Sequence, residues 1–317
     1  MLILIMNKKF KILVIGAGGY IGSMLIPELV NDGYEITCFD RFTVDSKLKK
    51  EVIKKVRIVK GDVRKIDSTI FNHIDVVIDL VGLTKNINMK NEQDVFEINK
   101  SAREKMIRLA KQNGIKRYIR ISSGNVYGGS LIEVTEETVA NPTNTYAKIN
   151  LVVDNEALLL NDDNFSVTIL RFASIYGFST NMRWDQSIHS MIRDLFCKNQ
   201  ITVKSKLSKR PFLHIKDAIA AIILVIKSDR VKISGEIFNV GSNEHNLTME
   251  EIVKKINQIE NKCKIILLDE KDENSFSMNS KKIHELLGFK PKFDINYGIV
   301  EIINKLRTKE LIINENS

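Results

Sequence analysis

The chain has 317 residues, a length that predicts about two domains and allows a sizeable buried core. Its net charge of +9 comes from lysines scattered among acidic residues, which favours anionic ligands such as phosphorylated metabolites and argues against nucleic acid as a partner. The cysteines are far apart and exclude zinc spacing or a disulfide framework, so no metal site and a cytoplasmic location are expected. The apolar run at 1–6 is too short to span a membrane, so membrane insertion is not expected.

The first predicted element is a strand at 12–15, followed directly by the glycine-rich segment G-A-G-G-Y-I-G at 16–22 and a helix-like run at 20–30. Gly16 permits a tight turn, Gly19 lets the backbone approach a pyrophosphate, and Gly22 lets the helix pack closely on the strand. The segment therefore predicts a dinucleotide-binding loop, with a glycine turn that holds no ligand as the alternative. The predicted cofactor-binding residues here are Gly16, Gly19, Tyr20, Ile21 and Gly22.

Strands continue to alternate with helices as far as residue 172. The predicted strands lie at 35–40, 56–59, 75–81, 118–121 and 167–172, and the predicted helices at 94–113 and 146–160. This alternation predicts right-handed crossovers and a parallel sheet covered by helices on both faces, with ligands bound beyond the carboxyl ends of the strands. We therefore predict an α/β protein with a Rossmann doubly wound sheet over 6–173.

A smaller α/β lobe that binds the substrate is predicted over 174–317, with a strand near 236–240 returning to the main sheet. A helix is expected at 182–199, and Asp217 is expected to cap another that runs to 226, beside a packed ring of His214. Thr248 opens a capping box at the start of a third helix.

Residues after the second and third strands indicate which dinucleotide is bound. Asp40 lies about 20 residues past the glycines, where a carboxylate accepts both ribose hydroxyls of the adenosine half of NAD and repels a 2′-phosphate. The neighbouring Arg41 favours NADP, but the acid outweighs it, so NAD is the predicted cofactor. Asp62 is placed to meet the adenine, with a turn residue that caps the strand as the alternative. The remaining predicted cofactor contacts are Val63, Leu80, Val81 and Asn99.

Further motifs lie downstream: S-S-G-N-V-Y-G at 122–128, R-F-A-S-I-Y-G at 171–177, R-P-F-L-H-I-K-D at 210–217 and F-N-V-G at 238–241. Together with the glycine loop and with Tyr146 at the start of a helix, they resemble the extended short-chain dehydrogenases/reductases of the NAD-dependent epimerase/dehydratase family, which act on nucleotide-sugars. The resemblance covers nearly the whole chain. It implies NAD as the cofactor, a nucleotide-diphosphate sugar as the substrate, and a homodimer or higher homo-oligomer built on helices 94–113 and 146–160.

The resemblance also implies a catalytic set of Tyr146, Ser123 and Asn150. In the family, a tyrosine moves a proton on and off a sugar hydroxyl while C4 gives hydride to NAD, and a serine or threonine hydrogen-bonds the same oxygen. The family's lysine, four residues past the tyrosine, is Asn150 here, which can hydrogen-bond the nicotinamide ribose but supplies no positive charge. Lys148 lies about 200° round the helix from Tyr146 and should not replace that lysine.

The missing lysine can be interpreted in three ways. The first is an enzyme with slowed or rerouted proton transfer, which the retained Tyr146 and Ser123 favour. The alternatives are a catalytically weak NAD-binding relative and an NAD-sensing regulator that docks another protein.

Gly124 and Asn125 stand where the family's dehydratases have an Asp-Glu pair, which implies oxidation, reduction or epimerisation at C4 and not 4,6-dehydration. The segment at 177–185 resembles a G-x-S-x-x-M-R-x-D loop of a branch that includes enzymes oxidising GDP-heptose at C4. Because a guanidinium pairs with phosphate oxygens, Arg183 and Arg210 are expected to hold the diphosphate, with surface salt bridges as the alternative. The product is expected to serve a surface-polysaccharide pathway. The predicted substrate-binding residues are Asn125, Ser174, Arg183 and Arg210.

Overall fold

The secondary structure follows the predicted alternation of strands and helices. The computed structural model describes residues 9–41, 48, 50–83, 92–130, 133–261 and 263–313, so the apolar run at 1–6 and the outer ends of both predicted domains lie outside the described residues. The strands are β1 (Lys11–Ile15), β2 (Glu35–Asp40), β3 (Arg57–Lys60), β4 (Val76–Asp79), β5 (Arg117–Ser123), β6 (Glu133–Val134), β7 (Ser166–Phe172), β8 (Ser174–Tyr176), β9 (Gln200–Val203), β10 (Lys209–His214), β11 (Glu236–Val240), β12 (Asn246–Thr248), β13 (Lys264–Leu267) and β14 (Ser277–Met278). The helices are α1 (Gly22–Asn31), α2 (Lys50–Ile53), α3 (Glu92–Phe96), α4 (Arg103–Gln112), α5 (Thr145–Leu159), α6 (Ser187–Lys198), α7 (Ile215–Lys227), α8 (Met249–Ile259), α9 (Lys281–Leu287) and α10 (Ile295–Arg307).

The central sheet has seven strands in the order β3-β2-β1-β4-β5-β7-β11, and every neighbouring pair is parallel. The predicted Rossmann doubly wound fold is therefore confirmed. Inner strands such as β4 and β7 are buried along their whole length because helices cover both faces of the sheet. On β1, Ile12 and Val14 pack in one core cluster with α1 and α7, while Leu13 and Ile15 pack in another with α4 and α5.

The other strands of the C-terminal half form small sheets. β10 pairs in parallel with β8 and antiparallel with β12, and β9 pairs with β13. Helices α6, α8 and α10 pack over them in a third core cluster. Two strands of this half pair with the first half: β11 lies beside β7 at the edge of the central sheet, and β14 lies beside β6. In the part of the chain that the structure describes, no helix is long and apolar enough to cross a bilayer.

Two helix starts in this half differ from the predictions. The helix expected from residue 182 begins at Ser187, because the preceding residues hydrogen-bond elsewhere, as described below. Asp217 does not cap α7: His214 does, since its Nδ1 accepts the backbone N–H of Lys216 at 3.3 Å. The Asp217 carboxylate accepts the backbone N–H groups of residues 292 and 293 instead. The capping box at Thr248 is confirmed.

Candidate active site

The glycine-rich segment forms a tight turn between β1 and α1. Gly16 has a φ of 83°, and a Cβ added to it would lie 3.0 Å from the carbonyl carbon and oxygen of Leu80. A Cβ on Gly22 would lie 2.5 Å from the carbonyl oxygen of Ala17, so α1 could not start this close to the turn with any side chain there. Within 4 Å of a Cβ on Gly19, the described residues place only the Gly16 carbonyl oxygen, which leaves its outer side open to a ligand.

Asp40 lies directly against this turn. Its Oδ2 accepts the backbone N–H of Gly18 at 2.9 Å, so the carboxylate at the end of β2 and the glycine turn share one edge of the sheet. Arg41 follows with an exposed side chain. The structure thus brings together the glycine turn, which the sequence analysis assigned to the pyrophosphate, and Asp40, which it assigned to the adenosine ribose.

The segment at 177–185 covers the glycine turn. Asn181 Nδ2 donates to the carbonyl oxygen of Gly18 at 2.8 Å, and the Tyr20 hydroxyl donates to the carbonyl oxygen of Gly177 at the same distance. Burial raises the pKa of Tyr20 well above its usual value, which keeps the hydroxyl a donor. Because residues 177–185 are held by these bonds, they do not extend α6 in the way that the sequence predicted.

His189 supports this covering segment, and the sequence reading did not single it out. Its ring is fully buried; Nε2 accepts the backbone N–H of Gly177 at 3.2 Å, and Nδ1 lies 2.8 Å from the carbonyl oxygen of Arg183. Burial lowers the pKa of His189 to about 4, so the ring is neutral at pH 7. A lone histidine within an apolar helix pattern carries no signal of such a role, since a packed core histidine has the same pattern.

The predicted adenine-side residues are held by other groups of the protein. Asp62 caps a short turn and pairs with Arg64, whose Nη2 lies 2.6 Å from Oδ2. That hydrogen bond, more than any other influence, lowers the pKa of Asp62. Asn99 binds both the N–H and the carbonyl oxygen of Leu83 at 2.8 Å and so fixes the backbone after β4, where Val81 is buried. Contact of these side chains with a cofactor stays a prediction.

Ser123 and Tyr146 lie on neighbouring elements. Ser123 ends β5, and its Oγ accepts the backbone N–H of Asn125 at 3.2 Å. Tyr146 lies in the first turn of α5, which Asn144 caps by accepting the N–H of Ala147, and α5 packs against β5 and the turn that follows it. No group in the described ranges hydrogen-bonds to the Tyr146 hydroxyl, and the residue is partly exposed.

Asn150 lies one helical turn further on and faces inward. Only 1% of it is exposed. Its Oδ1 lies 3.1 Å from Nη2 of Arg120 and 3.4 Å from Nη1 of Arg103, and its Nδ2 donates to the carbonyl oxygen of Tyr146 at 3.1 Å. The amide is therefore used inside the protein, and a contact with the nicotinamide ribose stays a prediction. Lys148 is exposed on another face of α5, as the helical spacing predicted.

Asn150 borders a buried charged cluster of five side chains, each from a different element of the central fold. Its members are Asp79, Arg103, Arg120, Asp154 and Arg171, none of them more than 4% exposed. Arg103 Nε lies 2.9 Å from Asp79 Oδ2, and Asp154 receives Arg120 at 2.7 Å and Arg171 at 3.3 Å. Burial lowers the pKa of Arg103, but the Asp79 carboxylate outweighs it and the net shift is upward. The five side chains pair with one another inside the fold, and the sequence reading missed them.

The predicted diphosphate-binding arginines form ion pairs within the protein. Arg183 Nε lies 2.7 Å from Oδ1 of Asp185, and Arg210 pairs with Asp272. Ser174 opens β8 beside β10. The hydrogen-bond pattern matches the surface ion-pair alternative, and binding of substrate by these residues stays a prediction. Within the described residues, no three His, Cys, Asp or Glu side chains are grouped so as to hold a metal ion.

A seven-stranded Rossmann sheet with a glycine turn, an acid at the end of β2 and a Ser–Tyr pair beyond β5 defines a dinucleotide-dependent α/β enzyme. The model of the NAD dependent epimerase/dehydratase family matches residues 12–241, and the chain belongs to that family. It is therefore an NAD-dependent enzyme.

Relatives and solved structures extend over almost the whole chain. A putative UDP-glucose 4-epimerase of Methanocaldococcus jannaschii is 25% identical over 311 residues, which cover 93% of this chain and 98% of the relative. The human dTDP-D-glucose 4,6-dehydratase is 26% identical over 320 residues, covering 94% and 90%. The structure of a UDP-glucuronic acid 4-epimerase from Bacillus cereus, in complex with UDP-glucuronic acid and NAD, has a TM-score of 0.83 at 23% identity and covers 94% and 99%.

The residues at the glycine turn fit NAD. The turn leaves the outer side of Gly19 open, as the approach of a pyrophosphate requires, and α1 starts directly behind it with its N–H groups directed toward the same place. Asp40 stands beside the turn with a carboxylate that can accept ribose hydroxyls. These groups would hold the adenosine diphosphate half of the cofactor.

Proposed function

We propose that the protein oxidises, reduces or epimerises C4 of a nucleotide-diphosphate sugar with NAD. The observation that carries the proposal is the position of Tyr146, a partly exposed residue in the first turn of α5, while Ser123 lies at the end of β5, against which α5 packs. The names of the relatives support it, since two of the three compared proteins are described as 4-epimerases of UDP-sugars.

The chemistry requires a base, a hydrogen-bond donor and a hydride acceptor. Tyr146, as the phenolate, takes the proton of the C4 hydroxyl, and Ser123 Oγ hydrogen-bonds the same oxygen as it becomes a carbonyl. NAD, when bound, accepts the hydride that leaves C4. In the reverse direction Tyr146 returns its proton to the oxygen, which regenerates the hydroxyl.

The turn after β5 supports action at C4 over 4,6-dehydration. A Cβ added to Gly124 would lie 3.1 Å from Sδ of Met278 and 3.3 Å from Cζ of Phe276, so no acidic side chain fits there without movement of both. Asn125 is neutral and cannot serve as the second carboxyl group. An elimination of water across C5 and C6 needs an acid and a base at these positions, so the proposal is confined to redox chemistry at C4.

The proposal extends to the substrate and the assembly. Arg183 and Arg210 would exchange their present carboxylate partners for the diphosphate, because a guanidinium pairs equally with either anion. Exposed apolar side chains near α4 and on α5, including Phe96, Val152 and Leu159, support a homodimer through these helices. We place the enzyme in the cytoplasm and its product in surface-polysaccharide synthesis, and keep GDP-heptose among the candidate substrates.

The test is turnover of a panel of UDP-, GDP-, dTDP- and CDP-sugars with NAD, followed by NADH absorbance and by NMR of C4. We expect Tyr146→Phe to lower kcat by at least about 100-fold with an unchanged Kd for NAD. Tyr34→Phe, which removes a hydroxyl from the loop between α1 and β2, is the matched control. Unchanged turnover in Tyr146→Phe would remove the tyrosine from the mechanism. Binding of NAD without turnover of any sugar would support the inactive relative.

A further inference from the structure

Two buried arginines contact the residue that stands in the place of the family's lysine. We propose that Arg103, assisted by Arg120, supplies to Tyr146 the positive charge that a lysine at position 150 would have supplied, with Asn150 as the link between them. The inference rests on the proposed function, because it concerns the ionisation of the tyrosine that acts there as the base.

The contacts form a continuous chain from the guanidinium groups to Tyr146. Arg103 Nη1 and Arg120 Nη2 both reach Oδ1 of Asn150, at 3.4 and 3.1 Å, and Arg120 Nη2 also reaches the Asn150 carbonyl oxygen at 3.1 Å. Nδ2 of Asn150 then donates to the Tyr146 carbonyl oxygen at 3.1 Å. Burial lowers the pKa of Arg103, whereas Asp79 and, to a smaller extent, Tyr118 and Tyr146 raise it, so Arg103 lies near enough to Tyr146 for their charges to interact.

The charge balance around Asn150 is positive. The cluster holds three guanidinium groups and two carboxylates, all buried, which leaves an excess of one positive charge. The other titratable groups that face it are Tyr118, which donates to Asp79, and Tyr127, which bonds Arg171. Glu136 lies on the far side of Arg171. Along the chain of hydrogen bonds, Asp154 and Arg120 separate Arg171 from Asn150. Asp79 pairs closely with Arg103, whereas Arg120 and Arg171 share Asp154, so the excess charge lies with these two arginines, of which Arg120 contacts Asn150.

An asparagine suits position 150 because of these arginines. Its oxygen accepts from two guanidinium groups, whereas a lysine ammonium in that place would add a third positive charge and offer no acceptor. Arg120 Nη1 already lacks a hydrogen-bond partner within the described residues and lies 3.7 Å from Asp79. The absence of lysine and the presence of buried arginines are thus one arrangement, in which the positive charge comes from α4 and β5 instead of α5.

The direct test is a spectrophotometric titration of phenolate, which needs no substrate. Tyr146 is isolated from the seven tyrosines by subtracting the titration of the Tyr146→Phe variant. Burial raises the pKa of the tyrosines at 20, 118, 127 and 176, so they contribute absorbance at higher pH. In Arg103→Gln, which keeps a donor but removes the charge, the midpoint of the Tyr146 phenolate should rise. In Arg103→Lys, which keeps the charge, it should stay near that of the parent protein.

Turnover provides the second readout. Arg103→Gln should lower kcat at pH 7 about tenfold and recover as the assay pH is raised, while KM for the sugar stays unchanged. The strongest form of the test moves the positive charge from position 103 to position 150. Asn150→Lys should restore kcat in the Arg103→Gln background but, in the parent background, should lower stability through repulsion and give no gain.

Folding is checked for every variant by circular dichroism and by the Kd for NAD. Should Arg103→Gln fail to fold, Asn150→Asp provides the same test, since a carboxylate accepts from both guanidinium groups and cancels their excess charge. It too should raise the phenolate midpoint. An unchanged midpoint in the folded variants overturns the inference, even with normal turnover. Absence of turnover in the parent protein defeats the proposed function alone, because the phenolate titration is read without substrate.

Discussion

The glycine turn is built from seven consecutive residues at 16–22, whereas five charged side chains from five elements meet around Asn150. The glycine turn depends on the absence of side chains: Gly16 and Gly22 leave no room for a Cβ. The charged cluster depends on the presence of side chains and on the hydrogen bonds and ion pairs between them. Changes in the turn should therefore act on cofactor binding, and changes in the cluster on stability and proton transfer.

The largest expected effect comes from removing one carboxylate of the cluster. Asp154→Ala leaves Arg120 and Arg171 buried without their shared partner, and should lower the free energy of unfolding by about 3–5 kcal/mol. Urea denaturation measures this change. Asp163→Ala, which removes an exposed carboxylate from the loop after α5, is the control and should change little. A loss below about 1 kcal/mol in Asp154→Ala would mean that the arginines find other partners, and the contrast between the two regions would weaken.

A smaller effect concerns the segment that covers the glycine turn. His189 has a pKa lowered by burial to about 4, against about 6.5 in an unfolded chain. The unfolded state therefore binds the proton more strongly, so stability is lost as the pH falls from about 6.5 to 4, by up to about 3 kcal/mol. Denaturation curves at pH 7 and pH 4 should show this loss in the parent protein and a correspondingly smaller one in His189→Gln.

The matched variant for that experiment is His284→Gln, which removes an exposed ring. It should retain the pH dependence of the parent protein. If His189→Gln retains it as well, the buried ring does not exchange protons on unfolding in this range, and the covering segment is held in another way. Burial alone would raise the pKa of Glu301, but its hydrogen bonds lower it to about 2. Glu301 therefore loses its contribution to stability at lower pH, and it does so equally in all three proteins.

The smallest effect on stability, and the most selective for the cofactor, is expected at the glycine turn. Gly22→Ala places a Cβ 2.5 Å from the Ala17 carbonyl oxygen and should cost about 1–3 kcal/mol of stability. Because the start of α1 must move, the Kd for NAD should rise by at least about tenfold. Gly82→Ala is the control, since an added Cβ there meets nothing within 4 Å among the described residues. Calorimetric titration with NAD measures both, and equal values would show that the turn adapts without loss.

The two regions also differ in how far the sequence predicts them. The glycine turn and the position of Asp40 follow from patterns within about 25 residues, because the turn and the second strand are joined by a single crossover. Arg103 could not be recognised in this way. It follows a π-helical segment, Glu97–Ala102, which changes the helical register and directs both Asn99 and Arg103 inward. A pattern based on 3.6 residues per turn does not contain that extra residue.

Arg120 shows the second limit. Arg120 stands between apolar residues of β5 and signals a buried charge, but its partners lie on α5 and β4, and no local spacing identifies them. Arg210 is similar, since its partner Asp272 lies 62 residues further along the chain, whereas Arg183 pairs with a carboxylate only two residues away. Residue type and family motif therefore indicate which residues are the candidates for catalysis, whereas the electrostatic environment of those residues is set by contacts between distant parts of the chain.

The edge strand β11 has a consequence for dividing or recombining this chain. Asn239, on β11, accepts from the Tyr127 hydroxyl at 2.8 Å, and that hydroxyl in turn accepts from Arg171. A fragment that stopped after β7 would have an unpaired parallel edge and would lose the last link to the charged cluster. Exchange of the C-terminal half with that of a relative would replace the same strand. Changes of sugar specificity should therefore be made in the segments between strands and leave β11 in place. The two halves of the chain cannot be exchanged as independent units, because β11 belongs to the central sheet.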